Sequence, residues 1–216
     1  MVELIPVIEF EPGAYHLGER SSPTSQDPTE WERYWMDSLA DAGIHGIEPF
    51  EPGSWFVSID MLQSQEILRV LLNINCQGFN IDDLEGFSAL PGGYFLTVDT
   101  KTLPPQCCCD LSNLNDWRKA TSHRAVEWQM LWIGHPWTHV SAENDRLTLL
   151  EPTEEDPPST LKTFASFDRS ELLSAVSRAE QLKDAFRNRL REIVAESFSE
   201  SPLNHEEIIE ILLNGH

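Results

Sequence analysis

The side chains able to do chemistry crowd into residues 104–139. Pro104-Pro105-Gln106-Cys107-Cys108-Cys109-Asp110-Leu111 sets three thiols and a carboxylate side by side. Asp116-Trp117 and His123 follow, and then Leu131-Trp132-Ile133-Gly134-His135-Pro136-Trp137-Thr138-His139. Thiolate, imidazole and carboxylate are the ligand types of zinc and other transition metals. A cysteine near a histidine is also the raw material of a thiol nucleophile. One reading of the region is therefore a metal-binding protein or enzyme that uses Cys107–Asp110, with Cys107, Cys109 and Asp110 meeting His135 and His139.

The spacing argues against that reading. Structural zinc takes thiolates from turns of the Cys-x2-Cys kind, which contiguous cysteines do not supply. On a strand, Cys107 and Cys109 would share a face about 6.5 Å apart, too wide for one tetrahedral ion without a bend. A reactive thiolate needs positive surroundings or a helix N-terminus, whereas this chain is acidic. No serine elbow, His-Glu-x-x-His run or glycine-rich nucleotide fingerprint occurs. Glu154-Glu155-Asp156 lacks the glycine and the alternation of a calcium loop. We therefore assign no catalytic residue, no metal and no cofactor. The three cysteines are expected to be reduced and buried, small side chains packed beneath the tryptophans. Trp137, in the turn Gly134-His135-Pro136, would serve as a contact residue for a partner if exposed.

The 216 residues include 36 acidic and 15 basic ones, a formal charge of −21. Residues 1–160 hold 26 of the acids and 8 of the bases, so the charge belongs to the body and not to a tail. Such a field repels nucleic acid and anionic membranes and favours a basic protein partner. The N-terminus, Met1 to Phe10, has two acids and no base, and so lacks the start of a signal peptide. No apolar run approaches a membrane span of about 20 residues. Contiguous cysteines do not form a secreted disulfide framework, and the expected location is the cytoplasm.

Several elements are expected to position this region. Val2–Phe10 reads as a strand closed by Glu11-Pro12-Gly13. Asp27 and Pro28 open a helix that carries Trp31, Tyr34, Trp35 and Leu39 on one face. A strand near 54–59, a helix over 62–75 and a strand from Gly92-Gly93 to Asp99 follow. Asp116–Ala120 is a short helix and Glu127–Ile133 a strand. Trp137–Val140 and Arg146–Leu150 form a hairpin across Ser141–Asp145. Residues 151–159, rich in proline and acid, read as an exposed linker. A long helix then runs from its cap at Asp168 to about Phe198, and Asn204 caps a last helix that Gly215 stops.

The fold class implied is α+β, with a largely antiparallel central sheet, flanking helices and a long C-terminal helix. Two parts are expected: an α+β body over 1–150 and, over 151–216, the acidic, proline-rich linker with a helical segment packed on the body or on a partner. A helix of about 45 Å must dock lengthwise on so small a body or overhang it, and an overhanging apolar stripe needs a partner. That predicts a homodimer whose contact includes Leu190, Ile193, Ile208, Ile211 and Leu212.

Four runs also carry a resemblance: Trp55-Phe56-Val57-Ser58-Ile59-Asp60, Leu90-Pro91-Gly92-Gly93-Tyr94, Pro105-Gln106-Cys107-Cys108-Cys109-Asp110-Leu111, and Leu131-Trp132-Ile133-Gly134-His135-Pro136-Trp137. Together they resemble a group of small, uncharacterised bacterial proteins, some of them like the immunity proteins of toxin systems. The resemblance covers residues 50–150 and carries over no catalytic residue. It implies bacteria, cytoplasm and a protein-binding role. With the acidic body, it leads us to expect a non-catalytic, inhibitor-type binding protein that meets a basic partner.

Overall fold

Apolar residues at every second or every third-to-fourth position divide the described residues into eight strands and six α-helices. The computed structural model describes residues 1–18, 21–24, 27–76, 84, 87–199 and 201–215. The strands are β1 (Val2–Glu9), β2 (Phe56–Ser58), β3 (Gly92–Val98), β4 (Lys101–Leu103), β5 (Gln129–Leu131), β6 (Thr138–Glu143), β7 (Arg146–Leu150) and β8 (Thr163–Asp168). The helices are α1 (Pro12–Tyr15), α2 (Pro28–Asp41), α3 (Gln65–Asn75), α4 (Leu114–Ser122), α5 (Arg169–Ser197) and α6 (His205–Asn214). The fold is α+β with a long C-terminal helix, but it has two four-stranded antiparallel sheets where one central sheet was expected. Their orders are β2-β1-β3-β4 and β5-β6-β7-β8.

The chain partitions into two compact units, and the boundary is not at residue 150. The first unit comprises Met1–Pro6 and Pro91–Lys183; the second comprises Val7–Leu90 and Asp184–His216. The expected linker lies inside the first unit because β8 follows it and pairs antiparallel with β7, Leu147 opposite Phe167 and Thr148 opposite Ser166. Residues 151–162 are the connection between those two strands. Pro157 and Glu154 to Asp156 are exposed as expected, whereas Glu151 to Thr153 are half-buried.

In the first unit β6 and β7 form the expected hairpin. Glu143 pairs with Arg146 across Asn144-Asp145, and Asn144 takes the positive φ that such a tight turn needs. Leu131, Val140, Leu147, Leu149 and Phe167 turn inward from the sheet. Leu172, Val176 and Ala179, on the first half of α5, are buried too. Arg169 fastens this unit from within: it donates from Nη1 to the carbonyls of Thr121 (2.8 Å) and His123, and from Nη2 to that of Asn144. At helix interiors such main-chain oxygens would already be used; here they are the last carbonyls of α4 and a turn carbonyl, which need a donor.

In the second unit Asp27 accepts the N–H of Thr29 at the start of α2, and the Trp35 indole donates to the Phe10 carbonyl at 2.9 Å. Ser64 and Asn204 cap α3 and α6 in the same way. Gln65 and Arg69 of α3 bond Glu192 and Glu196 of α5. Arg187 and Arg191 of α5 pair with Glu210 and Glu206 of α6. Phe198 meets the Phe87 ring edge-on, with centroids 5.4 Å apart.

These contacts correct the expected dimer face. Leu190, Ile193, Ile208 and Leu212 are at most 1 % exposed, and Ile211 is 8 % exposed. The apolar stripe of α5 is closed by α6 and by other parts of the same chain. A second copy could reach these five side chains only if the helices parted.

Candidate functional site

The residues expected to form a metal or catalytic site, and Trp137, all lie in the first unit. Strand β3 and the loop after β4 bring Cys107–Asp110 against the turn that follows β5. Cys107 and His135 form an isolated antiparallel bridge, with the His135 N–H donating to the Cys107 carbonyl at 3.2 Å. The Gln106 N–H donates to the Ile133 carbonyl, and the Cys109 carbonyl accepts from the Gly92 N–H, each at 3.0 Å. The Cys107 thiol donates to the His135 carbonyl at 3.0 Å, and the Cys109 thiol to the Ile133 carbonyl. Gly134 makes this closeness feasible. With φ at +96°, a Cβ there would lie 2.5 Å from the Cys107 carbonyl oxygen and 2.6 Å from the Cys109 sulfur.

The expected burial of all three cysteines is only partly met. Cys109 is buried, but Cys107 and Cys108 are exposed, and Cys108 holds φ at +62°. The reason is local: the loop is held at Cys107 by His135 and at Cys109 by Gly92, which leaves Cys108 at its tip and turns the Cys107 side chain to the surface. Burial pushes the Cys109 thiol up to about 12. In the second unit it pushes Cys76 up to about 11.

The metal and enzyme candidates do not converge. Asp110 caps the 3-10 turn Leu111–Asn113, accepting the Ser112 N–H at 2.6 Å while its own N–H donates to the Asn113 side chain. His139 is fully buried; its Nε2 lies 3.2 Å from Asp156, and its Nδ1 has no partner among the described residues. The Cys107 and Cys109 thiols are turned to main-chain carbonyls. Among the described residues, no three His, Cys, Asp or Glu side chains are placed to share an ion.

What the structure assembles instead is an aromatic face. Trp128 precedes β5, Met130 is its middle residue and Trp132 follows it, so the three stand at every second position on one side of the strand. Leu131 and Ile133, on the other side, are buried. Met130 is 36 % and Trp132 41 % exposed, and Trp128 is half-buried. Trp137 joins them, its ring 6.3 Å from that of Trp132 and 4.9 Å, edge-on, from that of His135. Trp137 is half-buried, tied on its main chain to Thr153 by paired bonds of 2.7 and 3.0 Å. Its indole N–H has no acceptor among the described residues.

No protein-family model, curated protein or solved structure matches the chain.

Strand β5 is the terminal strand of its sheet. Exposed acids rim the face: Glu127 beside Trp128, Glu143 on β6, and Glu154, Glu155 and Asp156 on the connection that crosses Trp137 and His139. Two bases of this unit are paired with acids, Lys162 with Glu151 at 2.6 Å and Arg146 with Asp168 at 3.6 Å, while Arg124, before Glu127, is exposed and bonds main-chain carbonyls. Sequence reasoning named the strand and Trp137 but missed Trp128, Met130 and Trp132. The signal was their period of two, obscured because Leu131 and Ile133 make the run apolar on both sides. Among the described residues, no helix is long and apolar enough to cross a membrane.

Proposed function

We propose that this chain is a non-catalytic, inhibitor-type binding protein that meets a basic protein through the outer face of β5. The observation that carries the reading is the row Trp128, Met130 and Trp132 on a terminal strand, large and apolar, its last two members open to solvent within a rim of acids. Tryptophan is the commonest kind of interface anchor because it desolvates a large area with little loss of rotamer freedom. A surrounding negative field steers a basic partner in and rejects acidic ones. On this reading the protein works in a reducing cytoplasm, where exposed thiols stay reduced, and it shuns DNA and RNA.

The test is pairwise co-expression with the proteins encoded beside its gene, followed by size-exclusion chromatography in reductant. A basic neighbour should co-elute at low salt and dissociate as salt rises to about 0.5 M, where charges are screened within a few ångströms. Trp132→Ala should weaken that complex about 30-fold, the loss typical of a hot-spot residue. Absence of any complex, a complex with an acidic neighbour only, or one indifferent to Trp132→Ala and Met130→Ala would refute it.

A further inference from the structure

The four cysteines fall into two chemical pairs. Cys76 and Cys109 are shielded, with thiols pushed up to about 11 and about 12. Cys107 and Cys108 are exposed and adjacent, in a loop held at Cys107 by His135 and at Cys109 by Gly92. A cysteine with φ at +62° occupies a backbone state that glycine or asparagine would fill with less strain. Nothing in the docking reading uses these two thiols.

We infer that Cys107 and Cys108 form a thiol-modification site that accepts low-molecular-weight disulfides and whose occupation unseats the neighbouring aromatic face. The chemical half of this inference stands alone; the regulatory half rests on the docking reading above. In the reaction the cysteine thiolate attacks one sulfur of the small disulfide. A protein–sulfur bond forms, the disulfide's own S–S bond breaks, and the departing thiolate takes up the proton that the cysteine released. The cysteine sulfur is oxidised and half of the reagent is reduced, so no other oxidant is needed.

Two features decide the product and its consequence. Neighbouring Cα atoms lie about 3.8 Å apart, short of the roughly 4.4–6.8 Å a disulfide spans. The adjacent thiol therefore does not readily displace the adduct by closing a bond to Cys107, and the mixed disulfide persists. Secondly, the Cys107 thiol is part of what holds the turn. It donates to the His135 carbonyl beside the main-chain bridge between the same two residues. An adduct removes that donor and frees one of the bonds that seat His135. His135 meets the Trp137 ring, and Trp137 meets Trp132, so a shift of His135 would be felt at the face.

The experiment treats the full chain with oxidised glutathione and maps adducts by peptide mass, while tryptophan emission is followed in the same samples. Adducts should appear first on Cys107 and Cys108. Cys76 should lag about 10-fold and Cys109 about 30-fold, because the loss of thiolate outweighs the higher nucleophilicity of a high-pKa thiol. Emission should change with the Cys107 adduct, and the change should vanish in Cys107→Ser and in Trp137→Phe. Modification of Cys76 or Cys109 as fast as of Cys107 and Cys108 would overturn the site. An adduct on Cys107 with emission unchanged would overturn the coupling. Both readouts use the wild-type chain, so a variant that fails to fold does not remove the test. The docking reading is tested in reductant, where no adduct exists, so either proposal can fail without the other.

Discussion

Two apolar stripes, one helical and one on a strand, have opposite fates. On α5 and α6, Leu190, Ile193, Ile208 and Leu212 are sealed inside the second unit. On β5, Met130 and Trp132 stand open on the outer side of the first. Amphipathic periodicity states that a stripe needs cover, but it does not say whether the cover comes from the same chain. The helical stripe looked like the interface because its helix is long. Yet α6 supplies the cover, pinned by Arg187 and Arg191. The strand has a neighbour on one side only, and Met130 and Trp132 keep their exposure on its outer face.

The sharpest way to break this contrast is to truncate one residue from each stripe. Leu190→Ala removes a fully buried side chain and should lower unfolding free energy by about 2–5 kcal/mol in urea titrations. Trp132→Ala should cost clearly less, about 1 kcal/mol, since its ring is only partly covered by Trp137. Comparable losses would mean that the strand face is core after all.

A smaller effect separates the turn beside the open face from a turn of the second unit. Gly134→Ala should cost about 1–3 kcal/mol from backbone strain alone, and more from collision with Cys107 and Cys109. At Gly46, with φ at +75°, an added methyl would meet nothing within 4 Å, so Gly46→Ala carries the strain without the collision. Thermal melts of both variants check the order. Gly134→Ala should also speed thiol labelling of Cys109, which Gly46→Ala should leave alone.

The smallest effect concerns the pins of the helical seam. A hydrogen bond from Arg191 holds the Glu206 carboxyl below its usual range. A lowered carboxyl contributes stability that is present above the ordinary carboxylate range and is lost as pH falls through the lowered value. Both partners are solvent-exposed, so the contribution is slight. Wild type and Glu206→Gln should therefore differ in stability at neutral pH and converge in acid. A gap that widens on acidification would refute the assignment.

Much of the element pattern was legible because its signals are local. Asp27-Pro28, Asp168 with Glu171, and Asn204 with Gly215 each mark a helix end through a hydrogen bond within a few residues. The β6–β7 hairpin was legible as a pair of strands, although its turn is Asn144-Asp145 alone and Ser141–Glu143, expected in the turn, belong to β6. Strand β8 was not, because its six residues run straight into the cap of α5 and its burial depends on pairing with β7, where the register shifts at Leu149 and Leu150. The division into units was equally hidden, since β1 and α5 each contribute to both. The site was half legible. Cys107 and His135 do meet, but through main-chain atoms, and main-chain bridges leave no mark on residue type. Asp110 and His139 carried plausible ligand chemistry and proved to be a cap and a buried partner of Asp156.

The inward use of Arg169 extends across the molecule. Lys101, Arg178, Lys183 and Arg189 likewise give N–H bonds to main-chain carbonyls, of Phe164, Val2, Leu111 and Ile59. Positive charge serves as mortar and negative charge as coat. In colloidal terms such a particle has a double layer of one sign, and identical copies repel until salt compresses it. The layer is about 30 Å thick at 0.01 M salt and about 8 Å at 0.15 M. Its osmotic second virial coefficient should accordingly be strongly positive in dilute buffer and fall steeply as salt is added, while a cationic protein in the same solution is drawn in.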